Sequence, residues 1–386
     1  MTLPIYPWRQ DNAFELAVDG EHFFPKILDA IAQARSTICI ELYLVESGRA
    51  TALTVEALVA AARRGVRVRC LFDDVGSHDF VEEERERLRQ GGVDLRFYNP
   101  LRLKRGLRNF HRDHRKILVF DERLAMTGGF GLSDPFCVAD SRGGTLWHDQ
   151  MLAVTGPVVK DWQALFDQAW SRADGPRTMR PRLGPSGRRA LSPPTGFHGW
   201  ARVARLDARF TNEVLLALLA RAQNAESRVW LATPYFLPAW RVRRALQQAA
   251  RRGVDVRLLL CGQIMDHPPV RYAGQRYYSR LLRAGIRIFE YQPRFLHLKA
   301  ALVDDWVSLG SCNFDHWSLH WNLEANQHVL DAGLTAAVQT TFEQDFARST
   351  EWTLEAWRDL SFVHRLKIRL WGQINRWVTM WFNIQR

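Results

Sequence analysis

A chain of 386 residues is long enough for one large or two ordinary domains, each with a core that needs neither disulfides nor metals. Its 53 Lys+Arg against 41 Asp+Glu leave a net charge of +12, which favours nucleic acid, phosphate esters or an acidic lipid surface as partners without choosing among them. The five cysteines, Cys39, Cys70, Cys137, Cys261 and Cys312, are widely spaced in apolar runs, which fits reduced core thiols in a cytosolic protein rather than a disulfide framework or a zinc site.

The N-terminus "MTLPIYPWRQDNAF" has no basic stretch leading into an apolar one, and no run of about 18 apolar residues follows. Contact with a membrane is therefore expected from the water side. The first apolar strand is "STICIELYLV" at 36–45. "ALVAAARRGVRVRCLF" at 57–72 then reads as a helix closed by Gly65 and a strand alternating on Val66, Val68 and Cys70. "LRQGGVDLRFYNP" at 88–100 repeats the sequence of helix end, glycine, strand and proline. A loop rich in Arg102, Lys104, Arg105 and Arg108 precedes "HRKILVFDERLAMTGG" at 114–129. It is either a solvated loop or a basic lip that recruits anionic headgroups.

Residues 171–197 are rich in Pro, Gly, Ser and Arg and read as a linker. Beyond it the chain repeats itself. "SRVWLATPYFL" at 227–237 parallels the first strand, "ALQQAARRGVDVRLLL" at 245–260 the helix and strand, and "LLRAGIRIFEYQP" at 281–293 the third unit. Each half is thus a β-α-β-α-β unit, which predicts an α/β fold: a mixed sheet flanked by helices, twice over. The expected boundaries are 1–170 for the first half, 171–200 for the linker, 201–350 for the second half and 351–386 for a C-terminal helix.

The chemistry repeats with the fold. His114, Lys116 and Asp121 recur as His297, Lys299 and Asp304, both His-x-Lys-x4-Asp followed by a small-residue turn. In extended chain, positions i and i+2 share a face. An imidazole beside an ammonium suits a phosphoryl centre, one group attacking or moving a proton while the other neutralises oxygen charge. A single copy would read as a solvated strand face; two copies at equivalent points of a repeat do not.

After Asp359 the chain has no acidic residue but carries Arg365, Lys367, Arg369, Arg376 and Arg386. Val363, Leu366, Leu370, Trp371, Ile374, Trp377, Val378, Trp381 and Phe382 lie between them at spacings of three and four. Such a helix suits the interface of an anionic bilayer, or it packs its stripe on the second half; the two can coexist. No basic groove interleaved with aromatics is evident, which argues against nucleic acid as the partner.

The duplicated motif resembles the phospholipase D superfamily. The flanking "FDDVGS", "ATPYFLP", "EYQPRFLHLKA" and "GSCNFDHWSLHWNLEAN" resemble its bacterial cardiolipin synthases of the short form without N-terminal membrane spans. The resemblance implies one active site at the junction of two pseudo-symmetric halves. It makes His114 the nucleophile that forms a phosphohistidine, and His297 the acid and then the base. Lys116, Lys299 and Asn313 of the turn that begins with Gly310 and Ser311 would hold phosphoryl oxygens, and no metal or cofactor is implied.

Asp149 in "WHDQ" and Glu324 in "WNLEAN", each roughly 30 residues past its histidine, match the carboxylates that orient those histidines. Asp121 and Asp304 are grouped with the catalytic motif and expected to brace it. Gly131 stands where the family commonly has Asn, leaving the first-half phosphate contact to a backbone N–H or water. His111, without a counterpart before His297, is assigned to the rim.

The implied activity is transfer of a phosphatidyl group between two phosphatidylglycerol molecules, giving cardiolipin and glycerol, by a peripheral protein on the cytoplasmic face of the cell membrane. Hydrolysis of a phospholipid or nucleic-acid phosphodiester is the alternative, and a non-catalytic lipid-binding scaffold a more distant one.

Overall fold

The computed structural model describes residues 5–102, 106, 109–138, 146–173, 198–207, 211–315 and 321–384, the last of these without side chains beyond Trp377. Lys104, Arg105, Arg108, Arg386, the linker residues 174–197 and the side chains of Val378, Trp381 and Phe382 lie outside the described residues.

In chain order the first half contributes β1 (Ala13–Val18), β2 (Thr37–Leu42), β3 (Arg67–Asp73), β4 (Asp94–Tyr98), β5 (Arg112–Asp113), β6 (Ile117–Phe120), β7 (Leu124–Gly128) and β8 (Gln150–Thr155). The second contributes β9 (Trp200–Asp207), β10 (Thr211–Asn212), β11 (Arg228–Thr233), β12 (Asp255–Cys261), β13 (Arg287–Tyr291), β14 (Ala300–Val303), β15 (Trp306–Gly310), β16 (Asn322–Leu330) and β17 (Ser349–Trp352). The first sheet runs β1-β8-β7-β6-β2-β3-β4, and the second carries β9-β16-β15-β14-β11-β12-β13 in the same order, extended by β10 and β17 at its edges. In each, three parallel strands continue into antiparallel ones, the mixed α/β architecture that the sequence repeat predicts.

The repeated helices cover the outer faces. Arg49–Arg63 packs Val55, Leu58 and Val59 onto the first sheet, and Trp240–Arg251 packs Val242, Ala245 and Leu246 onto the second. Both run into a glycine with positive φ, 90° at Gly65 and 91° at Gly253, the left-handed C-terminal position that glycine takes without steric penalty. The inner faces meet each other. Val119, Val154 and Trp162 of the first half share a core with Ala201, Val203 and Ala325 of the second, and Trp162 Nε1 donates to Gln327 Oε1 at 2.7 Å. All five cysteines are buried and free.

Two boundaries differ from expectation. Residues 171–173 finish the helix Val159–Ala173, and Trp200 already opens β9. The C-terminal helix begins at Phe362, because Ser349–Trp352 pairs with β13 as an edge strand and Leu354–Arg358 forms a short helix of its own.

A short exchange of backbone stitches the halves together. β5, a first-half segment, pairs in parallel with β16, and His114 N donates to Leu323 O at 3.0 Å. Reciprocally, His148 forms a parallel bridge to Leu296, and His297 N donates to His148 O at 2.8 Å. Each motif histidine therefore hangs its own amide on the other half.

Candidate active site

The two exchanges place the motif. His114 and Lys116 lie on extended chain between β5 and β6, and His297 and Lys299 on the equivalent segment before β14. Between His114 and Lys116, Arg115 points the other way, into buried ion pairs with Glu41 at 2.7 Å and Asp113 at 2.9 Å. That is the alternation expected of extended backbone. His114, Lys116, His297 and Asn313 line one cavity of about 650 Å³. Lys299 lies beneath His297, its Nζ 2.8 and 2.9 Å from the two ring nitrogens.

The carboxylates cross over. Glu324 of the second half lies 3.0 Å from Nδ1 of His114, and Asp149 of the first half lies 2.8 Å from Nδ1 of His297. The expectation that each carboxylate serves the histidine of its own half is corrected here, and the register explains why. The carbonyl that receives the His114 amide belongs to Leu323, and the one that receives the His297 amide belongs to His148. Glu324 and Asp149 are the next residues along, so the bridge that joins the halves also delivers the carboxylate. Held at Nδ1, His114 can present Nε2 to the cavity, whereas Nε2 of His297 also lies 2.9 Å from Lys299 Nζ. Ser311 serves this frame and not the cavity, its Oγ accepting from Ala325 N at 3.1 Å directly after Glu324.

Burial governs the electrostatics. It pushes Glu324 up to about 8 against the pull of Lys116, and presses Lys116 down to about 7 and Lys299 down to about 8. Burial, with the nearby ammonium groups, drives His114 well below the ordinary imidazole range and His297 down to about 3. Against the upward push of burial, the hydrogen bond from His297 and the charge of Lys299 hold Asp149 below the usual carboxylate range. Six ionisable groups this close titrate as one coupled set. A bound phosphodiester anion, by offsetting the lysine charge, raises the affinity of both imidazoles for a proton.

Asp121 and Asp304 sit elsewhere. Five residues of extended chain from the lysine, roughly 16 Å, each lies at the far end of its strand, in a turn with φ of 52° and 49°. Asp121 accepts from the backbone N–H groups of Arg35, Ser36 and Thr37, and Asp304 from those of Glu226, Ser227 and Arg228. They tie the end of the motif strand to the start of β2 or β11 and do not reach the cavity. Opposed by some burial, those N–H groups hold Asp121 down to about 2.

Gly131 lines the cavity, and a Cβ there would come 2.8 Å from Leu44 Cβ. Leu44 thus occupies the room an asparagine would need. Asn313 has its Oδ1 buried without a hydrogen-bond partner among the described residues. His111 stays out of the lining, its Nδ1 3.1 Å from Trp321 O. Arg102 is exposed, its N–H donating to Asn109 Oδ1 at 3.2 Å.

Arg112, Tyr43, Phe136, Trp147 and Tyr235 also line the cavity, and the sequence reading missed them. Arg112 was visible in "HRDHRK", but nothing local separates a buried arginine held by Asp73 at 3.3 Å from the solvated ones before it. The aromatics cluster on the histidines, Tyr43 against His114 at 4.9 Å and Phe136 against His297 at 4.9 Å between ring centroids. Among the described residues, no group of three or more His, Cys, Asp or Glu is placed to hold a metal ion.

His148 braces the site from behind. Its Nδ1 is 2.8 Å from Asp19 and its Nε2 3.0 Å from Asp345, one carboxylate from each half, and Arg294 closes on Asp19. Against the cost of burial, those two carboxylates raise His148 to about 9. The folded state therefore holds this proton more tightly than the unfolded chain, whose histidine titrates near 6.5. The stabilisation, on the order of 3 kcal/mol, is fully present below about pH 6.5 and is lost as pH rises through 9. Thermal melts of the native chain and His148→Gln should differ most near pH 6 and converge above pH 9.

The profile of the family described as cardiolipin synthase, PLD-like domain, matches residues 27–170 and 218–346, one stretch in each half. Cardiolipin synthase A of Pseudomonas aeruginosa is 33% identical over 370 residues, covering 94% of this chain and 73% of that protein. Cardiolipin synthase B of Salmonella typhimurium is 33% identical over 328 residues, covering 84% and 78%. The crystal structure of phosphatidylserine synthase from Haemophilus influenzae superposes with a TM-score of 0.73 at 15% identity, covering 96% of this chain and 95% of that one, a likeness of fold. With the profile on both halves and relatives at this identity over most of its length, the chain belongs to the cardiolipin synthase family of phospholipase D-like proteins and is a phosphatidyltransferase of that superfamily.

Proposed function

We propose that this protein is a cardiolipin synthase that transfers a phosphatidyl group from one phosphatidylglycerol, through a phosphohistidine, to the hydroxyl of a second. The observation that carries the reading is the pair of carboxylate-held histidines, one from each half, opening on a single cavity beside two buried lysines.

His114 attacks phosphorus through Nε2, forming the N–P bond as the P–O bond to glycerol breaks, and His297 gives that oxygen its proton. The hydroxyl of the second phosphatidylglycerol then loses its proton to His297 and attacks the same phosphorus, restoring His114. Lys116, Lys299 and the Asn313 amide offset charge on the non-bridging oxygens. Glu324 and Asp149 fix the rings and stabilise the imidazolium forms.

The C-terminal helix supports a peripheral place on the membrane, and we assign it to the cytoplasmic face, where buried thiols stay reduced. No described helix is long and apolar enough to cross a membrane. The stripe Phe362, Val363, Leu366, Leu370, Ile374 and Trp377 is exposed, Trp377 by 76%, and Arg365, Lys367, Arg369 and Arg376 flank it. The helix packs on Pro268–Gln275 through another face, with Ile368 buried and His364 Nε2 2.8 Å from Gln275 Oε1. Packing on the second half thus leaves the stripe free for lipid. Asn375 of the same helix lines the catalytic cavity, bringing its mouth to the lipid surface.

Incubation with phosphatidylglycerol vesicles and chromatography of the lipids is expected to yield cardiolipin with release of glycerol. If phosphatidic acid alone appears, the protein is a hydrolase and the transfer reading fails.

A further inference from the structure

The C-terminal helix borders a second cavity, apart from the catalytic one. Gly372 and Gln373 form part of the wall of a space of about 620 Å³ that also receives Arg276, Arg283, Arg358, Arg365 and Arg369, with Trp357 and Ile368 beside them. The arginines arrive from four elements: Arg365 and Arg369 one turn apart on the C-terminal helix, Arg358 from Leu354–Arg358, Arg283 from Tyr278–Arg283, and Arg276 just past Pro268–Gln275. No acidic side chain lines the space. Among the described residues none of the five forms an ion pair. Two are held by backbone carbonyls, Arg276 by Gly372 O at 2.6 Å and Arg365 by Arg358 O.

We propose that this cavity is a binding site for a phosphate ester, separate from the substrate site. Five guanidinium groups around one space repel one another, and an anion between them relieves that repulsion. The guanidinium fork matches two oxygens of a phosphate, and several forks from different directions match a tetrahedral group rather than a flat carboxylate. Trp357 and Ile368 give one side an apolar wall, suited to the carbon-bearing side of an ester. Gly372 brings the helix backbone against Arg276, where a Cβ would stand in ordinary van der Waals contact with Arg276 Cδ at 3.4 Å.

The same helix lines both cavities, Gly372 and Gln373 on this one and Asn375 on the catalytic one. A ligand bridging Arg365 and Arg369 to Arg283 and Arg358 ties that helix to the second half. Phosphate binding here therefore sets the position of the helix over the catalytic mouth. The phosphate can be the headgroup of an anionic phospholipid in the bilayer on which the exposed stripe rests, or a soluble phosphate.

The test uses the full chain carrying His114→Asn, so that nothing turns over, titrated calorimetrically with inorganic phosphate and with dihexanoyl phosphatidylglycerol below its micelle concentration. The parent is expected to bind one equivalent beyond the catalytic one. With Arg283→Gln, Arg358→Gln and Arg369→Gln combined, that equivalent should weaken at least tenfold, while the triple lysine variant, which keeps the charge, retains part of it. A second equivalent seen with phosphate supports a soluble source, and one seen only with the short-chain lipid supports a headgroup site. Failure of the parent to bind a second equivalent of either ligand, or superimposable titrations of parent and glutamine variant, would overturn the proposal. The readout is binding in an inactive background, so it is unaffected by whether transfer or hydrolysis is the native reaction.

Discussion

His114→Asn is expected to abolish transfer, by at least about 10³-fold, with every substrate, because the proposed reaction forms its bond to phosphorus at His114. His297→Asn should be equally damaging with phosphatidylglycerol, whose glycerol leaves poorly without a proton. A p-nitrophenyl phosphodiester of the same lipid separates the two, since its phenolate departs unaided. On that substrate His297→Asn should still release a burst of nitrophenol and accumulate phosphohistidine, while His114→Asn releases none. A burst from the His114 variant would reverse the roles of the two histidines.

The crossed carboxylates give the second large effect. Asp149→Asn and Glu324→Gln are each expected to lower kcat about 10² to 10⁴-fold with little change in KM, as loss of the group that orients a catalytic imidazole does elsewhere. The steps they impair should differ in a way that own-half pairing would invert. Glu324→Gln should slow the nitrophenol burst, because Glu324 holds His114, the proposed nucleophile, across the junction at 3.0 Å. Asp149→Asn should leave the burst intact and slow the turnover after it, because Asp149 holds His297 at 2.8 Å. The opposite assignment of steps, measured by rapid quench, would reject the crossed arrangement as the one used in catalysis.

Much of this is legible in the sequence. The glycines after the Arg-Arg pairs at 63–64 and 251–252, the alternation of Val66, Val68 and Cys70, and the duplicated motif all follow from local periodicity and repetition. Two sheets of matching strand order are their direct consequence. The pairing of Asp149 and Glu324 was not legible, because it depends on the register between Leu323 and the His114 amide, and a sequence repeat contains no information about how its copies dock. Asp149 and Glu324 each follow a motif histidine by about 30 residues, yet each lies against the histidine of the other half.

The site walls were lost for a different reason. Phe136 and Trp147 look like core aromatics in their own segments, and become cavity walls because the second half brings His297 against them, while Tyr43 stands against His114 of its own half. The aspartates of the motif illustrate the reverse. Their fixed spacing invites a catalytic role, yet the strand length between Lys116 and Asp121 carries the carboxylate to the opposite edge, where three backbone N–H groups consume its acceptor capacity. In the C-terminal helix the spacing of the stripe was readable, but not which face would dock, since Ile368 and Gly372 carry no stronger signal than Leu366 and Leu370.

The exchanged bridges at His114 and His148 also bear on how the chain is made. A ribosome delivers His114, Lys116 and Asp149 long before Leu323 and Glu324 exist, and in that interval the first motif lacks both the carbonyl that anchors its histidine and the carboxylate that orients it. Both contacts arrive together when β16 takes up β5, so the first motif is assembled by the docking of the second half and not by the folding of its own.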